Sequence, residues 1–167
     1  MFFRALLALL ALPGMVAGAV PFVLSRFDPF RGDGTLFGLV MQGVGLALLL
    51  WCVRDFYVAG RGTLAPWDPP RSLVLVGLYR HVRNPMYVAV LCILLGWVVL
   101  TASPMILIFA GFMWLFFHVM VTTHEEPRAE ETFGAEWRRY QASVRRWLPR
   151  VTPYDSGPMD GFGTPAR

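Results

Sequence analysis

Four long apolar stretches alternate with polar breaks along this chain. They cover residues 5–24, 35–53, 86–100 and 104–121. A helix needs roughly 20 residues to cross the hydrocarbon core, within a range of about 17–25. The first, second and fourth stretches meet that length, and the third meets it by borrowing flanking residues. Only Thr101-Ala102-Ser103-Pro104 separates the third from the fourth, so the two must form an antiparallel helical hairpin. Pro104 suits the first turn of the fourth helix, where its missing N–H is no loss. The pattern predicts an all-α integral membrane protein of about four transmembrane helices. A cytoplasmic loop and a C-terminal amphipathic interfacial helix complete it.

The first stretch also has features of a signal peptide: Arg4, an apolar run and Ala17-Gly18-Ala19. Its apolar character continues through Val20-Pro21-Phe22-Val23-Leu24, past a usual signal core, and this favours a retained helix. Between the second and third stretches, residues 54–85 make a long connection. Gly60, Gly62, Pro66, Pro69 and Pro70 break any helix there. Connections beyond ~12–15 residues are often functional. Leu73-Val74-Leu75-Val76 makes this one half apolar, so it is expected to lie along the membrane surface and cover part of the bundle.

After the fourth helix, Pro127 should kink or restart the chain. Phe133, Trp137, Tyr140, Val144 and Trp147/Leu148 then recur at helical spacing, an amphipathic pattern with aromatics toward the bilayer or the core. Residues 1–150 read as one domain. Residues 151–167, with three Pro and three Gly, read as a disordered tail.

Composition supports a bilayer as solvent. Apolar residues are 56% and charged residues 16%, against roughly 25% charged in an average soluble domain. All 15 basic residues are arginine. With an even number of spans, thirteen of them fall on one side and only Arg26 and Arg31 on the other. Positive charge collects on the cytoplasmic side, so both termini should be cytoplasmic, consistent with a bacterial inner-membrane protein. No basic run interleaved with aromatics offers a nucleic-acid groove. Cys52 and Cys92 make neither a disulfide framework nor a zinc spacing. His81, His118 and His124 are too scattered to define a metal site.

Two polar clusters border the hairpin. One runs from Tyr79 through Arg80, His81, Arg83, Asn84, Pro85 and Met86 to Tyr87. The other holds His118, Thr122, Thr123, His124, Glu125 and Glu126. The tight hairpin makes them spatial neighbours. Arginines and tyrosines at a helix border often serve only to anchor it to headgroups. The acids are less ordinary, because carboxylates at a helix C-terminus are unfavourable unless a cation offsets them. Adjacent cationic and anionic groups suit a zwitterion.

The stretch Gly77-Leu78-Tyr79-Arg80-His81-Val82-Arg83-Asn84-Pro85-Met86-Tyr87 resembles the G-x-Y-x-x-x-R-H/N-P-x-Y signature of the isoprenylcysteine carboxyl methyltransferase and phospholipid methyltransferase superfamily. Glu125-Glu126, then Phe133-Gly134-Ala135-Glu136-Trp137-Arg138-Arg139-Tyr140, Val144 and Trp147-Leu148-Pro149, resemble its ending. The resemblance covers roughly residues 55–150. It implies an S-adenosyl-L-methionine-dependent methyltransferase with its active site at the cytoplasmic side and a lipophilic small-molecule acceptor entering from the lipid bilayer. It also implies cofactor contacts at Arg71, Ser72, Leu73, Val74, Tyr79, Asn84, Pro85, Met86, Tyr87 and Glu125. Arg80, Arg83 and Glu126 join this candidate set as flanking charges. The sequence names no catalytic base and no metal ligand.

Three positions depart from the pattern. Asn84 replaces the histidine of the eukaryotic enzymes, Trp137 replaces a tyrosine, and Val121 stands where those enzymes carry a substrate-contacting arginine. The last removes the expected partner of an isoprenylcysteine carboxylate and leaves the acceptor atom open. Two other readings compete: a non-catalytic membrane protein, and an NADPH-dependent enzyme similar to sterol reductases. A dinucleotide would need more basic contacts for its phosphates than this chain offers.

Overall fold

The computed structural model describes residues 10–59 and 73–155. The sequence-based expectations for 1–9, for most of the long connection (60–72, including Arg71 and Ser72) and for 156–167 lie outside the described residues. A π-helical stretch, Leu10–Ala19, runs into α1, Val20–Phe27. The remaining helices are α2 (Phe37–Ala59), α3 (Pro85–Thr101), α4 (Pro104–Met120) and α5 (Glu126–Ser143). A 3-10 turn, Gly77–Arg80, leads into α3, and a π-helical turn, Val121–Glu125, joins α4 to α5. The described residues contain no strand.

Among the described residues, two helical stretches are long and apolar enough to cross a membrane: Phe37–Asp55, and the continuous run Pro104–Ser143. Pro13–Phe27 and Pro85–Thr101 are apolar but shorter. The 17 residues of α3 rise about 26 Å, slightly under the ~30 Å hydrocarbon core. In α4 one stripe turns inward: Ile106, Ala110, Met113 and Phe117 are buried. The opposite face exposes Leu107, Ile108, Phe112 and Leu115. A helix apolar on every side is the composition that lipid selects.

The hairpin predicted from the four-residue link is present. Ala102 takes a left-handed conformation (φ 45°) and closes α3. Ser103 then caps α4 by accepting from Ile106 N at 3.2 Å. Asp28, at the end of α1, reaches across to the same point. Its Oδ2 accepts from the Ser103 hydroxyl and, at 3.1 Å, from Met105 N. A carboxylate at a helix N-terminus offsets both orphan donors and the helix dipole. The same buried contact fixes α1 to the hairpin, and Trp97 Nε1 adds a bond to the Ala17 carbonyl at 3.0 Å. The first helix thus packs against the hairpin.

Helices α2 and α3 approach through glycine. A Cβ placed on Gly45 would stand 2.7 Å from Ile93 Cγ1 and 2.9 Å from the Ala89 carbonyl oxygen. One placed on Gly96 would stand 2.7 Å from Gln42 Cγ and 2.8 Å from the Gly38 carbonyl oxygen. Small residues let helix backbones close on each other where no hydrophobic force separates helix from lipid. The core above this contact joins Ala17, Leu49, Ala89, Ile93, Met113 and Phe117.

The C-terminal part departs from expectation in two ways beyond Pro127. Pro127 itself restarts the helix as expected, in the first turn of α5. Without an N–H it cannot continue the α-helical ladder, and the π-turn just before it widens the helix so that Glu126 N bonds Val121 O instead. The break comes later, at Gly134 (φ 52°, ψ −118°), and the helix ends at Ser143, short of Val144 and Trp147. Finally, residues 151–155 are not loose: Tyr154 N bonds the Arg80 carbonyl at 2.8 Å and the Tyr154 ring packs on Tyr140. The aromatic face of α5 turns toward the protein, where Trp137, Tyr140 and Val144 pack against Leu73, Leu75 and Phe133.

Gly96→Val should lower the apparent melting temperature in detergent, because overpacking costs about 1–3 kcal/mol. Gly111→Val, where a Cβ would meet nothing within 4 Å, should leave melting unchanged. Equal melting of the two variants would contradict the close α2–α3 approach.

Candidate functional site

The start of α3 and the end of α4 meet because the hairpin is antiparallel. Tyr87, in the first turn of α3, lies flat on Phe117 of α4 with ring centroids 4.5 Å apart. Its hydroxyl donates to Glu125 Oε1. The two polar clusters of the sequence are therefore joined directly, phenol to carboxylate. Burial pushes the Glu125 carboxyl above its ordinary range; the Tyr87 hydroxyl acts against this, and the neighbouring Glu126 charge adds to it. Trp147 closes the same corner, 6.5 Å from Tyr87 ring to ring, and its Nε1 donates to His118 Nδ1 at 3.3 Å.

Glu126 faces another way. Arg83 Nη1 donates to its Oε1 at 2.9 Å. Arg146 holds both oxygens, Nε to Oε1 and Nη2 to Oε2, each at 2.8 Å. Arg83 and Glu126 are about nine-tenths buried, with side-chain exposures of 9% and 10%. Burial lowers the Arg83 pKa from its usual value, with the Glu126 charge opposing and Arg146 reinforcing. The Arg83 guanidinium also sits 5.9 Å above the Trp137 ring. Two cations thus share one carboxylate, while Arg83 Nε stays buried with no acceptor among the described residues. Beside this cationic group stands the anionic Glu125.

A seam of main-chain bonds supports the corner. Residues 79–84 run alongside the segment after α5. Arg83 N bonds Arg145 O at 2.9 Å and Arg150 N bonds His81 O at 2.9 Å. Asn84 Nδ2 donates to Arg146 O at 3.2 Å, and the Tyr140 hydroxyl donates to Tyr79 O at 2.7 Å. Tyr79 itself is buried against Cys52 and Val74, and burial holds its phenol well above the ordinary range.

Of the sequence candidates, the geometry gathers Tyr87 and Glu125 with Arg83 and Glu126 close by. Met86 packs against both the bundle core and the Tyr79 cluster, and Pro85 is buried at the first turn of α3. Val74 lines the Tyr79 cluster, whereas Leu73 packs on the Trp137 side. Arg80 is engaged elsewhere: its Nε donates to Tyr154 O at 2.5 Å. Arg146 was not singled out from the sequence. Its partner lies 20 positions earlier, and nothing local distinguishes it from the other arginines of the segment.

Removing Glu126 would leave two guanidinium groups facing each other. Glu126→Ala should destabilise the folded protein by about 3–5 kcal/mol, the range for stranding a buried charge. Replacing the triad together (Arg83→Met, Glu126→Met, Arg146→Met) should recover most of that loss in denaturant or thermal melts. A Glu126→Ala protein with wild-type stability would contradict the ion triad.

The sequence profile of the phospholipid methyltransferase family matches residues 34–136. The matched region contains α2, the signature, the hairpin and both acids. An uncharacterized protein of Haemophilus influenzae is 35% identical over 63 residues, which are 38% of this chain and 100% of that protein. No solved structure matches the chain. With more than half of its length in that match, the chain belongs to the phospholipid methyltransferase family, and methyl transfer is the activity that membership implies.

Proposed function

We propose that the protein is an integral membrane methyltransferase that uses S-adenosyl-L-methionine and methylates a lipophilic acceptor at the cytoplasmic face. The bundle would cross the membrane four times, the two shorter apolar helices included. Thirteen of the 15 arginines would then share the side of the two termini and the site, as the positive-inside rule favours. A bacterial inner membrane fits that arrangement. The observation that carries the reading is the contact of Tyr87 with Glu125. It joins the signature to the acid pair beside an ion triad that retains one unused donor.

The side chains fit the amino-acid end of such a cofactor. Glu125 offers a carboxylate to its ammonium. Arg83 Nε, buried without an acceptor, and Arg146, the more exposed arginine of the triad, offer donors to its carboxylate. When bound, the cofactor would supply an electrophilic methyl group. The protein's own task is alignment, which contributes up to ~7–11 kcal/mol in favourable cases. Phe117 and Trp147 keep the Tyr87 ring in place, and the rigid ring holds Glu125. The site needs no strong charge on the sulfonium, because that charge disappears during transfer. Val121 is buried and apolar, so an acceptor carboxylate would find no cation there.

Titration calorimetry of the detergent-solubilised protein tests the reading. Saturable binding of S-adenosyl-L-methionine or S-adenosylhomocysteine is expected, and none of NADPH. Glu125→Gln should weaken binding roughly tenfold or more, the value of one charge-assisted bond. Binding of NADPH, or of none of the three probes, would refute the reading.

The acid limb carries a further expectation. Glu125 must be ionised to hold an ammonium, and its pKa is raised. Affinity should therefore fall on acidification before an ordinary glutamate would protonate. Glu125→Gln should flatten that limb of the pH profile.

A further inference from the structure

Asp55 is a buried acid that no motif singled out. It lies near the C-terminal end of α2, and its side chain is 10% exposed. Arg54 Nη1 stands 3.7 Å from Oδ1, but Arg54 is itself 74% exposed. Oδ2 is buried and accepts no hydrogen bond among the described residues. Two penalties coincide there. A carboxylate oxygen has left water without a donor, and it sits near the negative end of a helix. Orphaned buried polar groups are rare, and each needs a reason.

The surroundings are shaped around this carboxylate. Gly77 holds a positive φ of 52°, and a Cβ there would collide with Asp55 Oδ2. Trp51 Nε1 borders the same point, 3.1 Å from that Cβ position. Cys52, Val74 and Tyr79 form the adjoining buried apolar wall, on which Leu78 and Met86 pack. Met86 packs on this cluster and also on the bundle core that holds Tyr87. The Tyr79 phenol feels the negative charge of both Asp55 and Glu125.

We propose that Asp55 Oδ2 accepts a hydrogen bond from the nucleoside half of the methyl donor, at the opposite end of the site from Glu125. The inference rests on the methyl-donor reading above. In that reading Glu125, Arg83 and Arg146 occupy the donor's ammonium and carboxylate. The N–H and O–H groups that remain belong to the ribose and the base. An apolar wall of Val74, Leu78, Tyr79 and Met86 suits the thioether and the flat base between the two polar ends. The ligand's donor removes the penalty that the free protein carries at Oδ2, which accounts for the retention of an unpartnered acid.

The test uses two probes on the full chain in detergent: S-adenosylhomocysteine, which has both halves, and 5′-methylthioadenosine, which lacks the amino-acid end. Asp55→Asn should weaken both probes by the same factor, about tenfold. Glu125→Gln should weaken S-adenosylhomocysteine alone. The free Asp55→Asn protein should melt at or above the wild-type temperature, because the isosteric amide removes a buried charge that is paired only with an exposed arginine 3.7 Å away. Unchanged affinity of Asp55→Asn for both probes, with the wild type binding each, overturns this inference and leaves the methyl-donor reading intact. A folding defect in Asp55→Asn also overturns it, since that marks a structural acid. Binding of neither probe by the wild type removes the methyl-donor reading and the inference with it.

Discussion

Three separate stretches of this chain converge on one carboxylate. Glu126 takes a hydrogen bond from Arg83, before α3, and two from Arg146, beyond α5. An acid buried to that extent is tolerable only when cations neutralise it and hydrogen bonds fill its lone pairs. The bidentate grip of Arg146 satisfies the geometry that guanidinium and carboxylate share. Pulling any of the three stretches away would leave a charge stranded in an apolar corner. The triad therefore fixes where the signature strip, the acid pair and the C-terminal segment lie, and Glu125, one residue away, is left facing Tyr87.

The helices supply the other half of that constraint. A four-residue link forces α3 and α4 to run antiparallel, and Asp28 and Ser103 lock the far end of the pair. At the near end the π-turn over Val121–Glu125 matters most. It hands the chain on to α5, where Pro127 sits in the first turn and needs no N–H. π-turns often occur at functional positions, because they rotate the side chains that follow. Here the two consecutive acids end up with different partners, one phenolic and one cationic.

A methyltransferase of this design works by placement more than by charge. Rigid rings position the acid at Glu125, and ion pairs position the rings' neighbours. Glycines at the α2–α3 contact remove slack from the bundle. Little of this requires an unusual side chain. It requires that apolar helices pack closely enough for a small number of polar groups to be held at fixed points at one end of the bundle.

Much of the architecture was legible along the chain. The apolar stretches, the short link at Thr101–Pro104 and the order of the two polar clusters depend on local composition and length. Those are properties a linear pattern carries directly, and they sufficed to bring Tyr87 and Glu125 together. The sequence also marked Arg83 and Glu126 as neighbouring charges. It could not tell that Glu126 belongs to Arg83 and Arg146 while Glu125 belongs to Tyr87. Two adjacent acids look alike until the π-turn sets their directions. Arg146, Asp55 and Tyr154 were silent for the same reason: each meets its surroundings across a long separation in the chain. The end of α5 at Ser143 and its break at Gly134 also escaped, because docking of the last segment against residues 79–84 replaced the helical ladder with a tertiary one. Helix existence followed from burial in lipid, which every residue of a stretch feels alone. Partner choice followed from which buried charge lay nearest once the chain had closed, and only the closed chain could decide it.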